Sequence, residues 1–193
     1  MNKYFLGAFA CVVALSSSTI KWEMNEEPLV TNTEAAPLDT KQRIIMDDVQ
    51  FDCLAQSVYF EARDQSLHGQ AAVAMVILNR VEDDFWPDSV CGVVRQGSYS
   101  TGRIELNKCQ FAWYCDGLSD YPRDRKTWHS VNSYLREVLL AWNAGYDITY
   151  GATNFHSTAV SPDWRSHRNM EYVVTIDDHV FYYWNRGKTV AFN

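Results

Sequence analysis

The stretch LAQSVYFEARDQSLHGQAAVAMVILNRV, Leu54 to Val81, holds two helical patterns separated by a polar joint. In the second, Gln70 to Val81, apolar side chains occupy nearly every face until Asn79, which predicts a helix buried all round. Its small residues Ala71, Ala72 and Ala74 let a neighbour pack close. In the first, Leu54, Val58 and Glu61 stand at i, i+4 and i+7, so a carboxylate falls on the stripe that faces the core. A carboxyl on such a face loses hydration in its charged form, which raises its pKa and keeps an acid protonated near neutral pH. Cleavage of a glycosidic bond needs an acid of that kind. The plainer reading puts Glu61 at a fraying helix end, paired with Arg63 or Arg80.

Upstream of this stretch, Asp47 can cap the first helix with Gln50 three residues on, and Met46 and Phe51 occupy the positions of a hydrophobic staple. That helix is expected to end near Arg63, and Ser66 to Gly69 restarts the chain. Downstream, Glu82 to about Lys126 reads as one long loop rich in Gly, Asp, Pro and aromatics. Trp128 to Ala144 reads as a third helix with Val131, Leu135, Val138, Leu139 and Trp142 on one side and Gly145 as its C-cap. Tyr172–Ile176 and His179–Trp184 are β-rich runs joined by Asp177 and Asp178, which predicts a hairpin near the C-terminus. The class expected is α+β, mainly helical.

Composition bounds the rest. At 193 residues the chain suits one well-buried domain plus a leader. Net charge is −7, with 17 basic against 24 acidic residues and no dense Lys/Arg block, so a nucleic-acid partner is not expected. Aromatic content of 14% suits either a packed core or a cleft that stacks sugar rings, and core packing accounts for most of it. Lys3 followed by the apolar run Tyr4–Leu15, too short to span a bilayer comfortably, reads as a signal peptide ending at Ser16. A retained signal anchor is the competing reading. Cys11 is poorly placed for a lipoprotein cysteine. Residues 17–43, polar, acidic and Pro-containing, read as a flexible linker, and the folded domain as 44–193.

Loss of the leader leaves Cys53, Cys91, Cys109 and Cys115 in an oxidising compartment. One disulfide is expected among the three loop cysteines, with Cys53 a free, buried thiol on the first helix. A zinc site is not expected, because Cys109 and Cys115 lack the usual ligand spacing and no H-E-x-x-H occurs.

Tyr59-Phe60-Glu61-Ala62-Arg63, Gly69-Gln70-Ala71-Ala72-Val73-Ala74 and Leu78-Asn79-Arg80-Val81 resemble the opening signature of the cell wall hydrolase family named for the spore-cortex-lytic enzymes. Further pieces follow in family order: Phe85-Trp86-Pro87, Val90-Cys91-Gly92-Val93-Val94, Cys109-Gln110-Phe111 with Trp113, and Cys115-Asp116-Gly117. Gly151-Ala152-Thr153-Asn154-Phe155-His156, Pro162 with Trp164, and His179 with Phe181 complete the set. The resemblance covers about residues 50–184, and the ordered set is more specific than any one piece. It departs at Ala112, where the family commonly has Ser, at Asn154, usually His, and at Asp177, usually Gly.

The resemblance implies a lysozyme-like, lytic-transglycosylase-like single domain that cuts peptidoglycan between N-acetylmuramic acid and N-acetylglucosamine, with Glu61 as general acid and base. Hydrolysis of the same bond is the alternative; it needs a second carboxylate, for which Glu105, Asp116, Asp163 and Glu171 are available. Gln110, Phe111, Trp113, His156 and Trp164 are the expected substrate-binding residues, while His179 reads as mainly structural. The basic residues Arg123, Arg125 and Lys126 either meet an anionic wall polymer or form a solvated loop face. No cofactor or metal is expected. Glycan strands are the expected partner, the membrane only through the signal segment, the protein a monomer exported to the periplasm or wall of a bacterium or encoded by a phage. Two other classes remain: a zinc amidase using His156, His167 and His179, against which their irregular spacing argues, and a non-catalytic wall-binding module. If the leader reading holds, intact-mass analysis of the exported protein will show a chain lacking residues 1–16; a secreted protein that retains them refutes it.

Overall fold

The computed structural model describes residues 46–186; the expected leader and linker lie outside the described residues. The first helix, α1 (Asp48–Ala62), begins as its sequence predicts. Asp47 accepts from the Gln50 backbone N–H at 2.8 Å, and Phe51 is buried with Met46 packed against the same core. The Gln50 side chain does not close a reciprocal capping box: its Oε1 accepts from the Cys91 N–H at 2.9 Å.

Helix α2 (Leu67–Glu82), capped by Ser66, is buried from Gly69 through Arg80. Two layers bury it. Leu54 and Val58 of α1, with Val131, Leu135, Val138 and Trp142 of α4 (Arg125–Asn143), form the helical layer of the core. On its other side Ala72 and Val76 pack against Phe181 and the half-buried Val173, Val174 and Ile176 of a three-stranded antiparallel sheet. That sheet has the order β3-β5-β4, from β3 (Asn154–Ser157), β4 (Met170–Ile176) and β5 (His179–Trp184), so the predicted hairpin is present and β3 is added to its free edge. Of the α4 stripe, Leu139 alone is only half-buried. The helix starts three residues before the expected Trp128, because Asp124 accepts from the Lys126 and Thr127 N–H groups. No helix among the described residues is long and apolar enough to cross a membrane.

The expected loop from Glu82 to Lys126 is corrected by the structure. It contains α3 (Val90–Val94), a hairpin of β1 (Gly97–Ser100) and β2 (Arg103–Cys109), and a 3-10 turn at Ala112–Cys115. The hairpin reverses at Thr101 and Gly102, both with positive φ, the conformation of a tight two-residue turn. Its strands are mostly exposed, so no apolar alternation marks them in the sequence.

The expectation of a free Cys53 is also corrected. Cys53 of α1 is joined to Cys91 of α3, and Cys109 to Cys115 within the loop, so all four cysteines of the domain are paired. A buried position on the first helix suggests an inert thiol, but α3 brings Cys91 alongside Cys53. Chain-entropy arguments give about 4 kcal/mol for a cross-link across 38 residues and about 2 kcal/mol across 6. Replacing Cys53 and Cys91 together by Ala is therefore expected to lower the urea-unfolding free energy about twice as much as replacing Cys109 and Cys115, under non-reducing conditions. Equal losses would show that the length of the closed loop does not set what each cross-link contributes.

Candidate active site

Leu54 and Val58 are fully buried, and one turn further on the same stripe leaves the core, leaving Glu61 half-buried. The carboxyl lines a cleft of about 470 Å³ between the end of α1, the end of α2, β3 and the β4–β5 turn. Burial raises the Glu61 pKa from its ordinary 4.5 to about 7, and the Arg80 charge opposes that rise. Glu61 is thus substantially protonated at neutral pH, the state of an acid with a proton to give. Arg63, the other partner considered for it, lies over the Tyr59 ring, its guanidinium 5.2 Å from the centroid.

Arg80 reaches the cleft from α2 and is only 4% exposed. Its Nε donates to the Thr153 carbonyl at 2.6 Å, and its guanidinium lies 4.2 Å from the Trp86 ring centroid and 5.5 Å from that of Phe111. Burial pushes its pKa down to about 9 while the Glu61 charge pulls it up, so it remains a cation at neutral pH.

Of the predicted substrate-binding residues, Gln110, His156 and Trp164 line the cleft beside Glu61. Gln110 is exposed. His156 has partners for both ring nitrogens, the Ser157 carbonyl at 2.8 Å and the Tyr182 hydroxyl at 3.3 Å, and Trp164 packs edge-on against it. Phe111 and Trp113 do not line it. Phe111 is 1% exposed beneath Arg80, and Trp113, also buried, stacks on Phe60 at 4.9 Å. Their place beside Gln110 in a loop suggests cleft aromatics; the Cys109–Cys115 bridge and the 3-10 turn fold them inward instead.

The cleft also holds Asp64, Gln65 and Asp178, which the sequence does not mark as site residues, and His179, expected to be mainly structural. His179 is buried, its pKa is lowered by burial, and its Nδ1 has no hydrogen-bond partner among the described residues. A β-rich run that opens on a polar, titratable residue is the available signal. None of Glu105, Asp116, Asp163 and Glu171 lines the cleft; Asp64 and Asp178 are its other carboxylates. Among the described residues no three His, Cys, Asp or Glu side chains are grouped to hold a metal, and His167 is not among the cleft residues. Ala112 and Asn154, two of the departures from the family pattern, both line the cleft.

The sequence model of the Cell Wall Hydrolase family matches residues 64–182, more than half of the chain, beginning three residues after Glu61. Two spore cortex-lytic enzymes are similar in part: that of Bacillus subtilis (strain 168), 54% identical over 41 residues, 21% of this chain, and that of Oceanobacillus iheyensis, 42% identical over 57 residues, 30% of it. These alignments take in only 13% and 20% of the relatives' own lengths. Among solved structures, the catalytic domain of the germination-specific lytic transglycosylase SleB from Bacillus anthracis superposes with a TM-score of 0.53 at 25% identity, covering 71% of this chain and 96% of that one. The likeness supports the lysozyme-like α+β class.

The raised pKa of Glu61 has a consequence for stability. The folded protein holds this proton up to about pH 7 and the unfolded chain only to about 4.5, so stability falls as pH rises through that window. Glu61→Gln is expected to be more stable than wild type at pH 8, by at most about 3 kcal/mol, and to match it below pH 4.5. Urea unfolding at the two pH values measures this; a difference independent of pH would refute the desolvation of Glu61.

Proposed function

This chain belongs to the cell wall hydrolase family, and we propose that it cleaves peptidoglycan glycan strands as a lytic transglycosylase, acting at the bond between N-acetylmuramic acid and N-acetylglucosamine. The observation that carries the reading is a desolvated carboxyl, Glu61, titrating near 7 in a cleft. Protonated Glu61 gives its proton to the glycosidic oxygen as the C1–O4 bond breaks. The resulting carboxylate then takes the proton of the muramoyl 6-hydroxyl as O6 bonds to C1, closing a 1,6-anhydro ring and regenerating the acid. One carboxylate suffices, and no water is consumed.

Gln110, with its exposed amide, and Trp164, with a half-buried indole, are proposed to bind the glycan by hydrogen bonding and stacking. His156, with both nitrogens engaged, is proposed to hold the wall on which Trp164 packs. Hydrolysis is the second reading, favoured by the presence of Asp64 and Asp178 in the cleft. By this proposal the protein is exported and acts at the wall, in keeping with the names of its relatives.

Digestion of purified peptidoglycan followed by mass spectrometry tests the proposal. Products ending in 1,6-anhydromuramic acid are expected from wild type; Glu61→Gln is expected to lose at least about 10²-fold in rate while still binding the polymer. The rate is expected to fall as pH rises through about 7, where Glu61 loses its proton. Reducing muramic ends would replace transglycosylation by hydrolysis, and released stem peptides on intact glycan would overturn both.

A further inference from the structure

The proposed reaction makes Glu61 alternate between a neutral acid and a carboxylate within a site that excludes much of the water, and the second of these states needs compensation. Arg80 is the only Lys or Arg among the described residues lining the cleft. The other charged or titratable groups facing it are Asp64 beside the end of α1, His156 on β3, Asp178 in the β4–β5 turn and His179 at the start of β5. The two aspartates oppose a new negative charge, and His179 is kept neutral by burial.

The geometry of Arg80 is that of a group held ready. Its Nε is spent on the Thr153 carbonyl and its plane is fixed by Trp86 and Phe111, while its buried Nη1 has no hydrogen-bond partner among the described residues. An arginine serving only to tie α2 to β3 would use its fork; here one arm of the fork is idle. We infer that Arg80 is a positioning residue for Glu61, a fixed cation whose unspent guanidinium edge supports the carboxylate formed when the Glu61 proton passes to the glycosidic oxygen. While Glu61 is neutral Arg80 is a buried cation without a counter-charge, and proton transfer supplies one. Arg80 is therefore better matched to the state after proton transfer than to the resting one and offsets part of what burial costs the Glu61 carboxylate, the condition under which a charge accelerates a reaction. When the proton returns from the 6-hydroxyl the pair reverts, so the cycle balances without a co-reactant.

This inference rests on the proposed acid role of Glu61, and two readouts separate their failures. The first is the titration of the Glu61 carboxyl followed by carbon NMR in the full-length protein without substrate. The second is the pH profile of peptidoglycan cleavage. In Arg80→Met, Glu61 is expected to titrate at higher pH than in wild type, the falling limb of the rate profile to move the same way, and kcat to drop on the order of 10²-fold with KM changed far less. Arg80→Lys, which keeps the charge, is expected to bring the titration back toward wild type. Should Arg80→Met fail to fold, Arg80→Gln, with an amide for the Thr153 carbonyl, is the second neutral variant with the same expected shift. An unmoved Glu61 titration in a folded neutral variant overturns the inference, as does a loss confined to KM. A shifted titration in a protein that cleaves no glycan leaves the coupling standing and overturns the proposed function.

Discussion

A helix buried on every side must still find partners for its polar residues, and the rest of this fold follows from how α2 does so. Its sequence is apolar through Leu78 and then places Asn79 and Arg80 in the interior, 8% and 4% exposed. Asn79 donates to the Asp147 carboxylate, the Thr149 hydroxyl and the Ala152 carbonyl, and accepts from the Trp142 indole at 3.4 Å. Arg80 donates to the Thr153 carbonyl. Two adjacent side chains thereby fix the end of α4, the connection that follows it and the residue before β3. Leaving either unpartnered would cost the desolvation of a buried polar group, about 1–3 kcal/mol or more where it is charged. The requirement for polar satisfaction at the end of an apolar helix is what aligns β3 with the cleft.

The same requirement explains why the cleft lies where it does. Helix α1 carries its apolar stripe on Leu54 and Val58, then reaches a position where the stripe continues but the core does not. Glu61 is held between the two environments, desolvated enough to keep its proton yet open to a ligand. Phe155 lines the cleft with Glu61, and Trp86 and Phe111 lie against the Arg80 guanidinium, apolar surroundings of low dielectric that make charge on Glu61 and Arg80 consequential.

Much of this was legible in the sequence wherever a local rule coincided with the tertiary result. Asp47, Ser66, the α2 run and the C-terminal hairpin each obey capping, periodicity or alternation, and each is where those rules put it. The misplacement of Glu61 on an apolar stripe was readable for the same reason. What was not legible depends on long-range packing. The exposed strands β1 and β2 carry no buried face to alternate, the Cys53–Cys91 bridge requires knowing that α3 docks on α1, and the inward turn of Phe111 and Trp113 follows from a six-residue disulfide loop. Arg80 is visible in the sequence as one possible ion-pair partner and as part of a family-like piece, but neither its burial nor its idle Nη1 is written in the residues around it.

Asp177 shows how a departure from a family pattern is absorbed by its neighbours. The position has φ 49°, a left-handed conformation that favours glycine and admits aspartate at modest cost. In exchange its carboxylate accepts from the Ser66 N–H at 2.9 Å and hydroxyl at 2.6 Å, at the N-terminus of α2 where negative charge is favoured. These bonds hold its pKa below the usual carboxylate range. Gly69 is the matching residue: a Cβ there would come within 2.5 Å of the Asp177 Oδ2. The next residue, Asp178, takes its backbone N–H to the Gln65 side chain at 3.1 Å. The joint that follows Glu61 is thus clamped to the turn that carries Asp178 and leads into His179, so both walls of the cleft share one anchor. An aspartate in place of glycine here acts on the spacing of those walls rather than on the chemistry between them.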